Sequence, residues 1–278
     1  MGIIVKMLSV ALAAASFAVS PAVALQPSTA TAEKALRVAV ADGEMALFVS
    51  GSGAPTVILE AGIGGDHRTW AAVQPALSTL TRTVSYDRLG LGSSSTSKRF
   101  RSASNYVEEL REGLRKAGIA PPYVLVGHSL GGALVRLFAG RYPDEVVGLV
   151  LVDPAMEGFF RRAAVEAPRA YLDQLEEEWS SADASGREAL KREFLAFEIS
   201  MQQLRLTPPP PGDKVVILSA AQIEIRDALR IIRLDENARW AKEVGATHTY
   251  VQSGHSIHHE QPAAVIEAIQ HVLARSAR

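Results

Sequence analysis

A strand, a sharp glycine-flanked turn and a helix follow one another directly in the middle of this chain. Tyr123-Val-Leu-Val126 is apolar throughout and runs into Gly127-His128-Ser129-Leu130-Gly131-Gly132. Apolar residues then recur at helical spacing as far as Tyr142. A turn this tight holds Ser129 in a strained backbone conformation, so the residues two before and two after it have to be small, and Gly127 and Gly131 supply the room. The Ser129 hydroxyl then stands at the carboxyl end of the strand, over a helix start that favours negative charge.

The elements around this unit repeat the pattern. Leu36–Val40 and Met45–Val49 alternate about Asp42-Gly43 as a hairpin. Thr56–Glu60 is a near-continuous apolar run, as buried parallel strands are, and is followed by Ala61-Gly62-Ile63-Gly64-Gly65. Trp70–Leu80 is expected to be helical and Arg82–Tyr86 a strand, with the Gly-rich loop Asp87–Ser93 after it. An amphipathic helix, Ser104–Ala117, is capped by Ser104 or Asn105. Val146–Val152 is another apolar strand and ends in Asp153-Pro154. Later come a strand at Lys214–Ser219, helical pattern over 221–245, a short strand Thr249–Val251, the turn Ser253-Gly254-His255 and a closing helix Pro262–Ala274.

Alternation of this length predicts an α/β protein: a mostly parallel central sheet with helices on both faces. Ligands of such sheets bind beyond the carboxyl ends of the strands. Ser129, Asp153, the Gly62–Gly65 loop and the His255 turn all follow strands and can share that edge.

Residues 155–207 interrupt the alternation. They contain no strand pattern, and Tyr171–Trp179 and Glu188–Leu206 read as helices, with Leu190, Phe194, Phe197, Met201 and Leu204 on one face. Pro208–Pro211 and Gly212 close the segment as a stiff connector. A helical cap over 155–212, inserted into a core formed by 25–154 and 213–278, is the expected organisation. Phe159, Phe160, Leu172, Trp179, Phe194 and Phe197 are candidates to line an apolar pocket, or to pack cap against core.

The N-terminus reads as a secretory signal: Lys6 precedes an apolar stretch from Met7 to Val19, and Ala22-Val23-Ala24 is an A-x-A cleavage site. The apolar stretch is short for a span of about 20 residues. Residues 1–24 are therefore expected to be removed and the chain to be secreted or periplasmic, with no membrane attachment after cleavage. At 278 residues with 47% hydrophobic content the chain suits one sizeable domain, and a net charge of −1 gives no steering toward nucleic acid. The absence of cysteine excludes disulfides, thiolate metal sites and a Cys nucleophile.

Four separated features, in order, resemble the α/β-hydrolase family: the small Gly-rich loop after Thr56–Glu60, Asp87-Arg88-x-Gly90-x-Gly92-x-Ser94, Gly127-His128-Ser129-Leu130-Gly131-Gly132, and Gly254-His255-Ser-Ile-His258-His-Glu-Gln-Pro262. The resemblance runs from about Leu36 to Ala274 and implies a G-x-S-x-G nucleophile elbow with Ser129 as the nucleophile. A serine hydroxyl needs a base to take its proton. The family's chain order places that base at His255, in a turn after the last strand; His258 would pack below the site and His259 be exposed. The oxyanion donors implied are the backbone N–H groups of Leu130 and of Ile63, where Ala61-Gly62-Ile63 stands in place of the family's His-Gly-x.

The acid is open between two places. The strand after the cap runs into Ala-Ala-Gln-Ile-Glu224-Ile-Arg-Asp227 without the usual Gly-x-x-Asp, whereas Asp153 sits directly at a strand end, as in pancreatic-lipase-type members. Asp153 is preferred, Glu224 second and Asp227 third. Asp87, Arg88, Gly90 and Gly92 read as structural, and His67, Arg68 and Trp70 as candidates for the pocket wall.

The expected function is hydrolysis of a small ester by a Ser–His–acid acyl-enzyme mechanism, with a small-molecule substrate and no cofactor or metal. Lactone, amide or carbon–carbon hydrolysis and cofactor-free haloperoxidase activity use the same triad. A non-catalytic ligand-binding protein on the same fold is the rival from another class. The sequence does not address oligomeric state.

Overall fold

The structure, a computed structural model, describes residues 32–96, 100–181, 184–222 and 227–276. The segment read as a secretory signal and the alternative acid Glu224 lie outside the described residues. Strands β1 (Lys34–Val40) and β2 (Gly43–Ser50) form an antiparallel hairpin, and β2 pairs antiparallel with β4 (Thr83–Asp87). From there the sheet is parallel: β4 beside β3 (Thr56–Glu60), then β5 (Tyr123–His128), β6 (Val146–Val152), β7 (Val215–Ala220) and β8 (Thr247–Val251). The order β1-β2-β4-β3-β5-β6-β7-β8 is that of a doubly wound α/β sheet.

The continuous apolar runs belong to strands covered on both faces; every residue of β3, β4, β5 and β7 is buried. Period two sorts their side chains. Ile58, Leu125, Leu149, Leu151 and Ile217 pack with α2 (Ala103–Lys116) and α3 (Leu130–Arg141) through Leu110, Leu114 and Phe138. Val57, Leu59, Val124, Val126, Val150 and Val152 face the other way, onto Trp70, Leu77 of α1 (Gln74–Leu77), and Val265 and Ile269 of α10 (Pro262–Ser276).

Among the described residues, four helices stand between β6 and β7: α4 (Glu157–Glu166), α5 (Pro168–Ser181), α6 (Ala184–Leu195) and α7 (Phe197–Arg205). After β7 come α8 (Ala228–Val244) and, beyond β8, the short α9 (Ile257–Glu260). The inserted helices are tied to the core by capping. Ser200 Oγ and Gln203 Oε1 on α7 accept from the N–H groups of Ala103 and Ser104, each at 2.9 Å, at the start of α2. The connector that follows crosses α3 at Gly140, where a Cβ would meet the Pro208 carbonyl at 2.4 Å.

Three local expectations shift. Helix α2 begins at Ala103 with Ser102 as its cap, because the Asn105 side chain reaches back to the Ser102 N–H at 3.0 Å. The stretch from Trp70 to Leu80 is a 3₁₀ turn, His67–Trp70, and the short α1; Pro75 has no N–H to bond back to Ala71, so it sits in the first turn of a separate helix. The helix expected over Glu188–Leu206 is two helices that meet at Ala196, where no Gly or Pro marks a break.

Candidate active site

Ser129 and Asp153 are the non-glycine residues with positive φ among those described, 51° and 41°. Ser129 occupies the turn from β5 into α3 with φ 51° and ψ −117°. The flanking glycines are required: a Cβ on Gly127 would lie 2.4 Å from the Gly131 carbonyl, and one on Gly131 would lie 2.5 Å from the Glu60 carbonyl. Backbone bonds fix the strained residue from both sides, Ser129 N–H to Val152 O at 3.1 Å and Ala155 N–H to Ser129 O at 2.9 Å.

Asp153 directly follows β6 and is fully buried. Its Oδ1 accepts from the Ala220 N–H at 3.1 Å. Its Oδ2 meets Nδ1 of His255 at 2.5 Å and accepts from Nη1 of Arg230 at 3.2 Å, while Nε of Arg233 stands 3.8 Å away. Burial works to raise this carboxyl, but the His255 hydrogen bond and the Arg233 and Arg230 charges hold it below the ordinary carboxylate value. An ionised carboxylate only accepts, so the proton lies on Nδ1 of His255 and Nε2 keeps its lone pair. Burial, then Arg233, lowers the His255 imidazole against the opposing pull of Asp153, and the ring is neutral at neutral pH.

Ser129 and His255 open into one cavity of about 370 Å³, bounded by the carboxyl edge of the sheet and the inserted helices. His128, the last residue of β5, meets the carbonyl of His255 with Nε2 at 3.1 Å, and the two ring centroids are 4.6 Å apart. The Ser129 turn and the His255 turn are thereby tied together. The structure joins His255 to Asp153 directly and brings Ser129 to the same cavity; Oγ of Ser129 makes no hydrogen bond with any described residue.

Gly62, Ile63 and Leu130 line the cavity beside Ser129. A Cβ on Gly62 would lie 2.8 Å from Nδ1 of His128 and 3.3 Å from Cβ of Ser129, so the loop backbone packs against the Ser129 turn itself. Leu130 is the first residue of α3, where N–H groups have no partner within the helix. Phe160, Tyr171, Leu175, Phe194 and Phe197 form the apolar part of the wall. Phe159 instead packs with Ala163 and Ile232, and Leu172 is exposed.

His258 lines the cavity, buried, with Nδ1 lacking a partner among the described residues, and burial pushes it down to about 3. His259 is exposed. Asp227 caps α8 by accepting from the Arg230 N–H at 2.9 Å. None of the three candidates His67, Arg68 and Trp70 lines the cavity: His67 bonds Asp87, Arg68 bonds Asp66 and Trp70 is buried in the core, while Thr69 between them reaches the wall. Asp66, His67 and Asp87 bring three possible metal-ligand atoms together, but Arg68 and the Ser93 N–H already engage the two carboxylates. Sequence reasoning missed Arg230, Arg233 and the role of His128. The first two belong to a helix with no motif, and the third occupies a variable position of G-x-S-x-G.

The fold and this edge define an α/β hydrolase. The model of the alpha/beta hydrolase family matches residues 46–268, and the chain belongs to that family. It is 28% identical over 224 residues to the YqjL protein of Bacillus subtilis, covering 80% of this chain and 85% of that one. Among solved structures it is similar to carboxylesterase CesB of Bacillus subtilis, with a TM-score of 0.58 and 20% identity over 87% of this chain and 92% of that one. It is also similar to the haloalkane dehalogenase DatA of Agrobacterium tumefaciens, with a TM-score of 0.62 and 17% identity over 88% and 97% of the two chains. At these identities the structural likenesses concern the fold.

Proposed function

We propose that this chain is an exported serine hydrolase that cleaves small carboxylic esters carrying an apolar or aromatic group. The observation that carries the proposal is the 2.5 Å contact between Nδ1 of His255 and Oδ2 of Asp153 at a cavity that Ser129 also lines. Ser129 Oγ attacks the acyl carbon while Nε2 of His255 takes its proton, and Asp153 stabilises the imidazolium. The tetrahedral oxyanion accepts from the N–H groups of Leu130 and Ile63, one such donor being worth ~3 kcal/mol in the transition state. The imidazolium protonates the leaving alcohol, water then attacks the acyl-enzyme with His255 as base, and the acid is released.

An aspartate at the elbow would suit displacement at an alkyl carbon; the serine suits acyl transfer. The aromatic wall of Phe160, Phe194 and Phe197 supports an apolar substrate group. The N-terminal signal pattern supports export, with cleavage after Ala24.

The test is labelling by a fluorophosphonate probe, together with burst kinetics on an activated ester. The expected result is stoichiometric labelling and an acyl burst, both lost in Ser129→Ala and His255→Ala. Retention of labelling in Ser129→Ala overturns the assignment. Retention of full activity in Asp153→Asn, with loss in Glu224→Gln, moves the acid to Glu224.

A further inference from the structure

The loop after β3 is held by groups that the hydrolytic mechanism does not name. Arg88, 2% exposed, ends in a guanidinium whose Nη1 donates to the Ala61 carbonyl at 2.8 Å and whose Nη2 donates to the Gly62 carbonyl at 2.6 Å. Glu193, 3% exposed, comes from α6 of the inserted helices. Its Oε2 accepts from the Gly64 N–H at 2.7 Å and its Oε1 from Nε of Arg88 at 2.8 Å. Arg88 is braced from behind by Glu60, whose Oε1 accepts from Nη1 at 2.6 Å and whose Oε2 accepts from the Tyr86 hydroxyl.

These bonds pin three successive peptide planes: 61–62 through the Ala61 carbonyl, 62–63 through the Gly62 carbonyl, and 63–64 through the Gly64 N–H. The middle plane carries the N–H of Ile63. A trans peptide points its N–H opposite to its C=O. The Gly62 carbonyl is turned into the protein by Arg88 and by the Gly65 N–H at 3.1 Å, so the Ile63 N–H is turned the other way. Ile63 itself lines the cavity beside Ser129. Gly64, with φ 65°, adopts the left-handed backbone that lets the next N–H, that of Gly65, turn back to the Gly62 carbonyl.

We propose that Glu193 is a positioning residue: the inserted helices reach through it into the oxyanion loop and, with Arg88, aim the Ile63 N–H at the developing oxyanion. The inference rests on the serine-hydrolase reading above. Its consequence is that the insertion shapes the substrate pocket and also completes the catalytic machinery, which is assembled only while α6 is seated on the loop. A carboxylate suits the task because one oxygen serves the backbone and the other the guanidinium, and both are charge-assisted bonds. The rival role, docking of α6 alone, holds the helix without aiming the donor.

The test compares wild type with Glu193→Ala and Glu193→Gln on a short-chain p-nitrophenyl ester and its thionoester, with amide hydrogen exchange over 61–65. A thiocarbonyl is a poorer acceptor than a carbonyl, so the ester-over-thionoester preference reports the oxyanion donors and is insensitive to the fraction of folded enzyme. Glu193→Ala is expected to lose about 10- to 100-fold in kcat with KM within about twofold, to lose ester preference in parallel, and to exchange faster at 61–65. Glu193→Gln falls between the two, since its amide oxygen still accepts from Gly64 while its amide nitrogen opposes Nε of Arg88. It also carries the test if the alanine variant fails to fold. An active wild type whose variants keep kcat, or lose it with the ester preference unchanged, overturns the inference alone. A wild type that hydrolyses no ester overturns the hydrolase reading and this inference with it.

Discussion

His128 reaches across from the nucleophile turn and meets the backbone carbonyl of His255 with Nε2 at 3.1 Å. Burial, and then the neighbouring His255 and His258, hold the His128 ring neutral, so a single N–H is spent on this one bond. The bond sets the spacing between two turns that arrive from strands far apart in the chain. His128→Phe keeps a ring and removes the donor. The expected effect is a loss of about 5- to 10-fold in kcat with KM little changed, the scale of one ordinary hydrogen bond. Steady-state kinetics on an activated ester check it, and an unchanged kcat means that packing alone holds the His255 turn.

Asp153→Asn retains the carbonyl that accepts from Ala220 and replaces the charged oxygen that receives Nδ1 of His255. An amide placed there donates to Nδ1 and moves the ring proton to Nε2, the wrong nitrogen for a base. The expected loss in kcat is about 10⁴-fold, with the fold intact by circular dichroism. A loss of less than about tenfold would show that another carboxylate orients His255.

Much of this site is legible in the sequence because each element is governed by local rules. Gly127 and Gly131 announce the turn, since backbone oxygens come within 2.5 Å of where their side chains would be. Asp153 was preferred because it follows an apolar strand directly, and it does contact His255. What stayed hidden depends on contacts across the chain. Glu193 reads as one more acidic residue on an amphipathic helix; only the seating of α6 against the 61–65 loop gives it partners. Arg88 stood in a motif read as structural, and nothing local indicates that its guanidinium turns toward two carbonyls of another loop. The start of α2 has both a local and a distant cause: Asn105 reaches back to the Ser102 N–H, and the N–H groups of Ala103 and Ser104 are satisfied from α7.

Gly131→Ala tests the elbow itself. The added methyl would lie 2.5 Å from the Glu60 carbonyl and 2.6 Å from that of Ala61, and neither backbone oxygen can step aside without moving β3. Destabilisation of at least about 2 kcal/mol is expected, with activity lost even in the fraction that folds. Chemical denaturation of the purified variant measures it, and a variant as stable as wild type would show that β3 and α3 can separate freely.

Arg230 shares Oδ2 of Asp153 with His255, an added cation beside the proposed triad acid. The groups facing His255 are Asp153, Arg230, Arg233, His128 and His258. Burial and then Arg233 lower the imidazole, Asp153 raises it, and Arg230 adds to the lowering. In the proposed mechanism His255 works as a base when neutral, so activity is expected to fall on the acid side as it protonates. Arg230→Met removes one cation, raises His255 and moves the acid limb of kcat/KM to higher pH. A limb that stays in place, or moves to lower pH, contradicts the charge argument.

Glu60 and Glu193 share Arg88 in the interior, and two carboxylates facing one guanidinium leave an excess of negative charge. Burial above all, opposed by Arg88 and reinforced by the charge of Glu193, pushes Glu60 up to about 7 from 4.5. The folded chain therefore holds a proton at this position that the unfolded chain has released. Below about pH 4.5 both states are protonated and nothing is lost; as pH rises toward 7 the unfolded state gains from ionising and stability falls, and above 7 the loss is complete. The shift corresponds to roughly 3 kcal/mol as an order of magnitude. Glu60→Gln removes the titration, so its stability relative to wild type should climb between pH 4.5 and 7 and then level off. Glu193→Gln, by removing the competing charge, should move the same climb to lower pH. Urea denaturation of the three proteins across this range provides the difference curves. A flat difference between wild type and Glu60→Gln would mean that Glu60 is ionised throughout and that Arg88 neutralises it unaided.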